Sequence, residues 1–145
     1  MDLSRLKWPL IILAVVGIGW LASSGGVNWM VTNYTRATPD QDVKRDITDE
    51  AGLTRVGGYL MCLFKYQKAE YVMNLALQRY GTNGKNHHYN RYRIAKCLEK
   101  QGRFQESYKI LSELEAYNAR QYDDRIPDAK VLRTRAAKLK AVNNL

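Results

Sequence analysis

Catalytic constellations are missing from this chain. There are two histidines, and they are adjacent at His87 and His88, so on a regular helix or strand they point in different directions and make a poor metal pair. No glycine-rich phosphate loop, Ser-His-Asp set or spaced metal-ligand cluster occurs. The expectation is a non-enzymatic protein without a cofactor, and a small-molecule substrate is not expected. Cysteine is scarce as well. Cys62 and Cys97 are too few for a disulfide framework and read as packed thiols, a bridge between them being open only outside a reducing compartment. Long blocks of like charge are also missing. The formal charge is +9, but Lys and Arg are interleaved with Asp and Glu and no nucleic-acid arm stands out. The excess of cations leaves anionic lipid and acidic protein surfaces as partners without naming one.

What is present begins with a stretch over residues 8–35 that carries no charged side chain. As a helix it is long enough to cross a hydrocarbon core of about 30 Å with some tilt, so a single N-terminal membrane span is expected. Its most apolar part, PLIILAVVGIGWLA, is followed at once by SSGGVN. A basic start, a short apolar core and Ala22-Ser23-Ser24 also describe a signal peptide, the rival reading. Trp8 at one end and Trp29 with Tyr34 at the other fit the aromatic belts of membrane interfaces. Within the span Gly19 with Ser23, and Ala22 with Gly26, are four residues apart, so small side chains share a face on which a second membrane helix can pack. Arg5 and Lys7 flank one end and Arg36, Lys44 and Arg45 the other, a near tie by the positive-inside rule. A short anchor ahead of a globular domain favours the N-terminus in the cytoplasm and the domain on the outer, periplasmic or equivalent, side.

The rest reads as helices, giving an all-α chain with an anchor over 1–35, a polar connector over 36–48 and a helical domain over 49–145. In the connector Thr38, Pro39 and Gln41 suit the start of a short helix, and the next helix is expected after Thr48, led by Asp49 and Glu50. The stretch RIAKCLEKQGRFQESYKILSELEAY holds Ile94, Ala95 and Leu98 at helical spacing before Gly102, and Phe104, Tyr108, Leu111 and Leu114 after it. That is a helical hairpin, with Gly102 suited to a left-handed turn. The pattern occurs once before. Gly57 pairs with Ala95, Leu60 with Leu98, Tyr66 with Phe104, Ala69 with Ser107, Met73 with Leu111 and Ala76 with Leu114, each 38 residues apart. A last helix beyond Pro127 carries Ala129, Leu132, Ala136 and Leu139 as its stripe. Arg133 falls where the next small residue would be, so this helix reads as a cap.

These positions resemble the tetratricopeptide repeat family: Val56, Gly57, Leu60, Phe64, Tyr66, Ala69, Met73 and Ala76, then Ile94, Ala95, Leu98, Gly102, Phe104, Ser107, Leu111 and Leu114. The first unit departs from the motif with Phe64 in place of glycine, and the second with Ser107 for alanine and Leu114 for a small residue. The resemblance covers residues 49–117 and implies two stacked hairpins plus a capping helix, a short stack that leaves a face to be covered. It also implies a groove lined by the first helix of each unit. Thr54, Gly58, Met61 and Cys62 would face it from one unit, and Tyr89, Tyr92, Lys96, Glu99 and Lys100 from the next, with Lys130 and Lys138 continuing from the cap. Such a groove would suit a helix or extended segment with acidic residues. The family's clamp for a C-terminal carboxylate needs lysine and asparagine where Thr54 and Gly58 stand, so that ligand is not expected. The functional expectation is a small accessory subunit of a membrane-associated complex that holds other subunits through its groove and its span. The alternative is a transient adaptor or assembly factor that captures a client peptide.

Overall fold

The computed structural model describes residues 3–35 and 38–145. Arg36 and the side chains of Arg5 and Tyr34, which the membrane reading uses, lie outside the described residues. Among the described residues there are seven α-helices and no strand: α1 (Leu3–Leu21), α2 (Ser24–Tyr34), α3 (Val43–Cys62), α4 (Tyr66–Tyr80), α5 (His87–Lys100), α6 (Phe104–Ala116) and α7 (Ala129–Asn143).

The charge-free N-terminal stretch is two helices, bent by 80° between Leu21 and Ser24, and no single helix in it is both long and apolar enough to cross a membrane. The break has a local cause. Ser23 leaves helical geometry, with φ −71° and ψ 166°, and its hydroxyl accepts the amide of Gly26 at 3.1 Å, which caps a new helix. Gly26 lies directly against the backbone of Trp20 and Leu21, where any Cβ would collide. Gly19 and Ser23 therefore do not share a helix. Ala22 and Gly26 are buried inside the chain, so they form no free packing face.

α1 stands out from the body with Leu10, Ile11, Leu13, Val15 and Val16 all more than half exposed. By contrast α2 is folded into the globule. Val27, Met30 and Val31 join Leu53, Leu60, Val72 and Met73 in one core, and burial stabilises such side chains by about 1.5–3 kcal/mol each. The end of the stack is thus closed by α2. An anchor over 1–35 and a domain from 49 would cut through this core.

The connector differs too. Residues 39 and 40 form a turn, and α3 starts at Val43 because the Asp42 carboxylate accepts the amides of Lys44 and Arg45 at 3.0 and 3.4 Å. Thr48 lies mid-helix, its hydroxyl donating to the Lys44 carbonyl. α7 is capped in the same manner by Asp128, which accepts from Val131, while Pro127 precedes the cap.

From α3 to α6 the chain forms two hairpins whose turns are built alike. Phe64 N–H donates to the Met61 carbonyl and Lys65 N–H to Leu60; 38 residues later Gly102 donates to Glu99 and Arg103 to Leu98. This is the left-handed helix ending, with the first residue of each pair at positive φ, 58° and 77°. Lys65 and Arg103 then have φ −90° and −88°, ψ 61° and 62°. Gly57, Leu60, Ala69, Met73 and Ala76 are buried, as are Ala95, Leu98, Ser107, Leu111 and Leu114. A second core, with Ala95, Leu111, Leu114, Ile126, Leu132 and Ala136, seats α7 on the second hairpin.

Candidate interaction surface

Side-chain hydrogen bonds tie α3 to α5 and α5 to α7, so the odd-numbered helices line up on one face. Glu50 of α3, 2% exposed, accepts the Asn86 amide at 2.7 Å and its Nδ2 at 3.0 Å. Asn86 in turn accepts from Arg125 Nη2 at 2.7 Å. Arg125 also grips Asp123 through Nε and Nη2, and this bond holds the Asp123 carboxyl below the usual carboxylate range. One helical turn on, the Thr54 hydroxyl donates to the Glu50 carbonyl and accepts from Asn90 Nδ2 at 2.9 Å. Lower on the face, Arg135 of α7 binds both oxygens of Glu99 at 3.0 and 2.8 Å and donates to the Tyr92 hydroxyl at 3.2 Å.

Cations lie over tyrosine rings along this face. Arg125 and Arg93 sit 4.0 and 5.2 Å from the Tyr89 centroid. Lys96 and Arg135 sit 4.8 and 5.8 Å from that of Tyr92. Arg93 donates to the Thr54 carbonyl at 2.9 Å, and its guanidinium covers Gly58, where a Cβ would strike it. Arg125 and Arg135 are neutralised by Asp123 and Glu99. Arg93, Lys96 and Lys100 have no carboxylate partner among the described residues. At the α3 end a cavity of about 630 Å³ is lined by Ile47, Ala51, Lys85, Asn86, Tyr122 and Arg125, among others.

The residues expected to line a groove therefore divide. Tyr89, Lys96, Glu99 and Lys100 do share the face, and Lys130 and Lys138 are exposed on α7. Thr54 and Tyr92 are each 6% exposed. Thr54 is a structural link between α3 and α5, and Tyr92 is a covered floor beneath Arg135, because neighbouring polar groups satisfy them inside the layer. Gly58 lies under Arg93. Met61 is half-buried against the first core, and Cys62 is exposed at the end of α3. Sequence reasoning passed over Arg93, Arg125, Arg135 and the Glu50–Asn86 link. Their one signal was an aromatic with a basic residue four positions on, as in Tyr89/Arg93 and Tyr92/Lys96.

Comparison with protein-family models, with curated proteins and with solved structures gives no match.

His87 and His88 open α5. His87 Nδ1 lies 2.8 Å from the Gly81 carbonyl, and the His88 ring stacks on Tyr122 at 5.0 Å. Burial pushes both imidazoles below the ordinary histidine range. Among the described residues no three His, Cys, Asp or Glu side chains gather as a metal site. Both cysteines are free thiols.

Proposed function

We propose that this chain is a membrane-anchored interaction protein of the tetratricopeptide-repeat type, a small accessory subunit of a larger membrane-associated assembly. The observation that carries the reading is the junction of two dissimilar parts: an exposed apolar helix and a twice-repeated hairpin, joined without a free linker. α1 has 19 residues, but its charge-free part is residues 8–21, a rise of about 21 Å at ~1.5 Å per residue, short of the ~30 Å hydrocarbon thickness, so the stem requires local thinning of the bilayer around it. Lys7 at its start can extend its ammonium toward headgroups. In this reading α1 alone is the stem, with its N-terminus in the cytoplasm and the repeats on the outer side. α2 belongs to the repeats as their end cap. The α3–α5–α7 face is the docking surface for other subunits, and its cations without carboxylate partners, Arg93, Lys96 and Lys100, suit an acidic segment. The same three cations favour the second reading, a transient adaptor that holds an acidic client peptide.

Purification of the full chain in mild detergent tests the proposal. Companion chains at fixed stoichiometry, released by Lys96→Glu with Lys100→Glu while the melting temperature holds, support the subunit. A monomer that captures acidic peptides through those lysines supports the adaptor. A monomer indifferent to both, or a chain that stays in the aqueous phase when membranes are floated, overturns the proposal.

A further inference from the structure

Of the two matching turns, the second carries what the fold itself asks for. Gly102 takes the left-handed φ at no steric cost, and Arg103 is bound by Glu70 and Glu106 at 2.9 and 2.6 Å. The first turn has the same backbone and different chemistry. Phe64 stands at φ 58°, a conformation that costs a side chain bearing Cβ, and it recovers nothing through burial because it is 76% exposed. Lys65, equivalent to Arg103, has no carboxylate partner among the described residues. A strained and exposed phenylalanine beside a bare lysine is unfavourable in water, and nothing in the hairpin requires it.

The position of this turn says what it meets. Tyr59, before it, donates to the Ile18 carbonyl at 3.0 Å, and Lys68, after it, donates to the Ala22 carbonyl at 2.9 Å. Ile18 is in the last turn of α1 and Ala22 directly follows its end. The turn is therefore held near the root of the exposed apolar helix, where Trp20, in the last turn of α1, pairs with Trp29 of α2 at 6.0 Å between ring centroids. Tyr66 packs edge-on against Phe64. Aromatic rings with polar tips and lysines at the foot of an apolar helix are the composition of a membrane interface.

We infer that the α3–α4 turn is a second membrane contact: Phe64 enters the headgroup–acyl boundary beside α1, and Lys65 pairs with anionic phosphate headgroups. The inference rests on the membrane-anchored reading, with lipid as the occupant.

The test uses the full chain with Cys62→Ser, so that an environment-sensitive fluorophore labels one introduced cysteine, at Phe64→Cys or at the matching Gly102→Cys. Vesicles are phosphatidylcholine with or without phosphatidylglycerol. The expected result is a blue shift at position 64, with quenching by lipid-borne nitroxides and a larger effect in the anionic vesicles, and a water-like signal at position 102. Flotation with vesicles while position 64 stays water-like, or equal shifts at both positions, overturns the inference and leaves the anchor standing. Failure of the parent chain to float overturns the anchor and this contact with it.

Discussion

Phe64 and Gly102 hold the same place in two equivalent turns, both left-handed, with φ of 58° and 77°. One has a Cβ and the other does not, and L side chains in that region cost about 1–2 kcal/mol. Phe64→Gly is therefore expected to stabilise the detergent-solubilised chain by roughly 0.5–1 kcal/mol, since glycine gives back some of the gain as entropy of the unfolded chain. Gly102→Ala is expected to cost about 1 kcal/mol. Urea unfolding followed by circular dichroism checks both, and a loss of stability in Phe64→Gly contradicts the strain argument.

Truncation separates α1 from α2. A chain starting at residue 22 keeps Val27, Met30 and Val31 over the first core and is expected to melt close to the parent. One starting at residue 38 uncovers Leu53, Leu60 and Met73 and is expected to melt lower and bind a hydrophobic dye. Within the elbow, Gly26→Ala drives a methyl into the Trp20 and Leu21 backbone and is expected to cost about 1–3 kcal/mol. Equal melting of both truncations would show that α2 contributes nothing.

The two thiols should behave differently. Burial, with a smaller contribution from the Glu70 charge, pushes the Cys97 thiol up to about 11, whereas Cys62 is exposed. Near neutral pH a maleimide is expected to modify one cysteine in the native chain and both in denaturant, read by intact mass. Two fast modifications in the native state would show that α5 opens readily.

Acid should loosen the start of α5 and the loop ahead of α7. Burial lowers the pKa of His87 and His88 in the fold, so the unfolded chain binds protons first and stability falls as pH drops below about 6.5. Asp123 is depressed by its bond from Arg125. Its contribution is present above the unfolded value near 4 and is lost as pH falls through the folded one. Melting temperature is expected to decline from neutral toward pH 5 and again below 4. His87→Gln together with His88→Gln should flatten the first limb and leave the second.

Much of the helical pattern was legible in the sequence, since Leu60, Met73, Leu98 and Leu111 recur at the spacing that buries one stripe of each helix. The shape of the N-terminal run was not. Hydropathy reports that residues 8–35 avoid charge, and it is silent on whether Ser23 will cap a new helix or whether α2 will face lipid or protein. The start of α3 was misread because Asp42 and Thr48 are both plausible caps, and the carboxylate, reaching two amides, prevails over the hydroxyl. On the interaction face Arg93, Arg125 and Arg135 look in sequence like any solvated cations. Only the approach of α3, α5 and α7 shows that two of them are paired and one spans Gly58. Ile126, fully buried, lies between the second hairpin and α7, where a single apolar residue has no periodicity to reveal it.

The two bonds from Tyr59 and Lys68 to the carbonyls of Ile18 and Ala22 tie the C-terminal end of α1 directly to the α3–α4 hairpin. A flexible leash lets its cargo sample a wide hemisphere and dilutes it accordingly. On the proposed anchored reading, a bracket of this kind would set the tilt and height of whatever it grasps, and two such brackets on neighbouring stems would hold their cargoes at matched bearings.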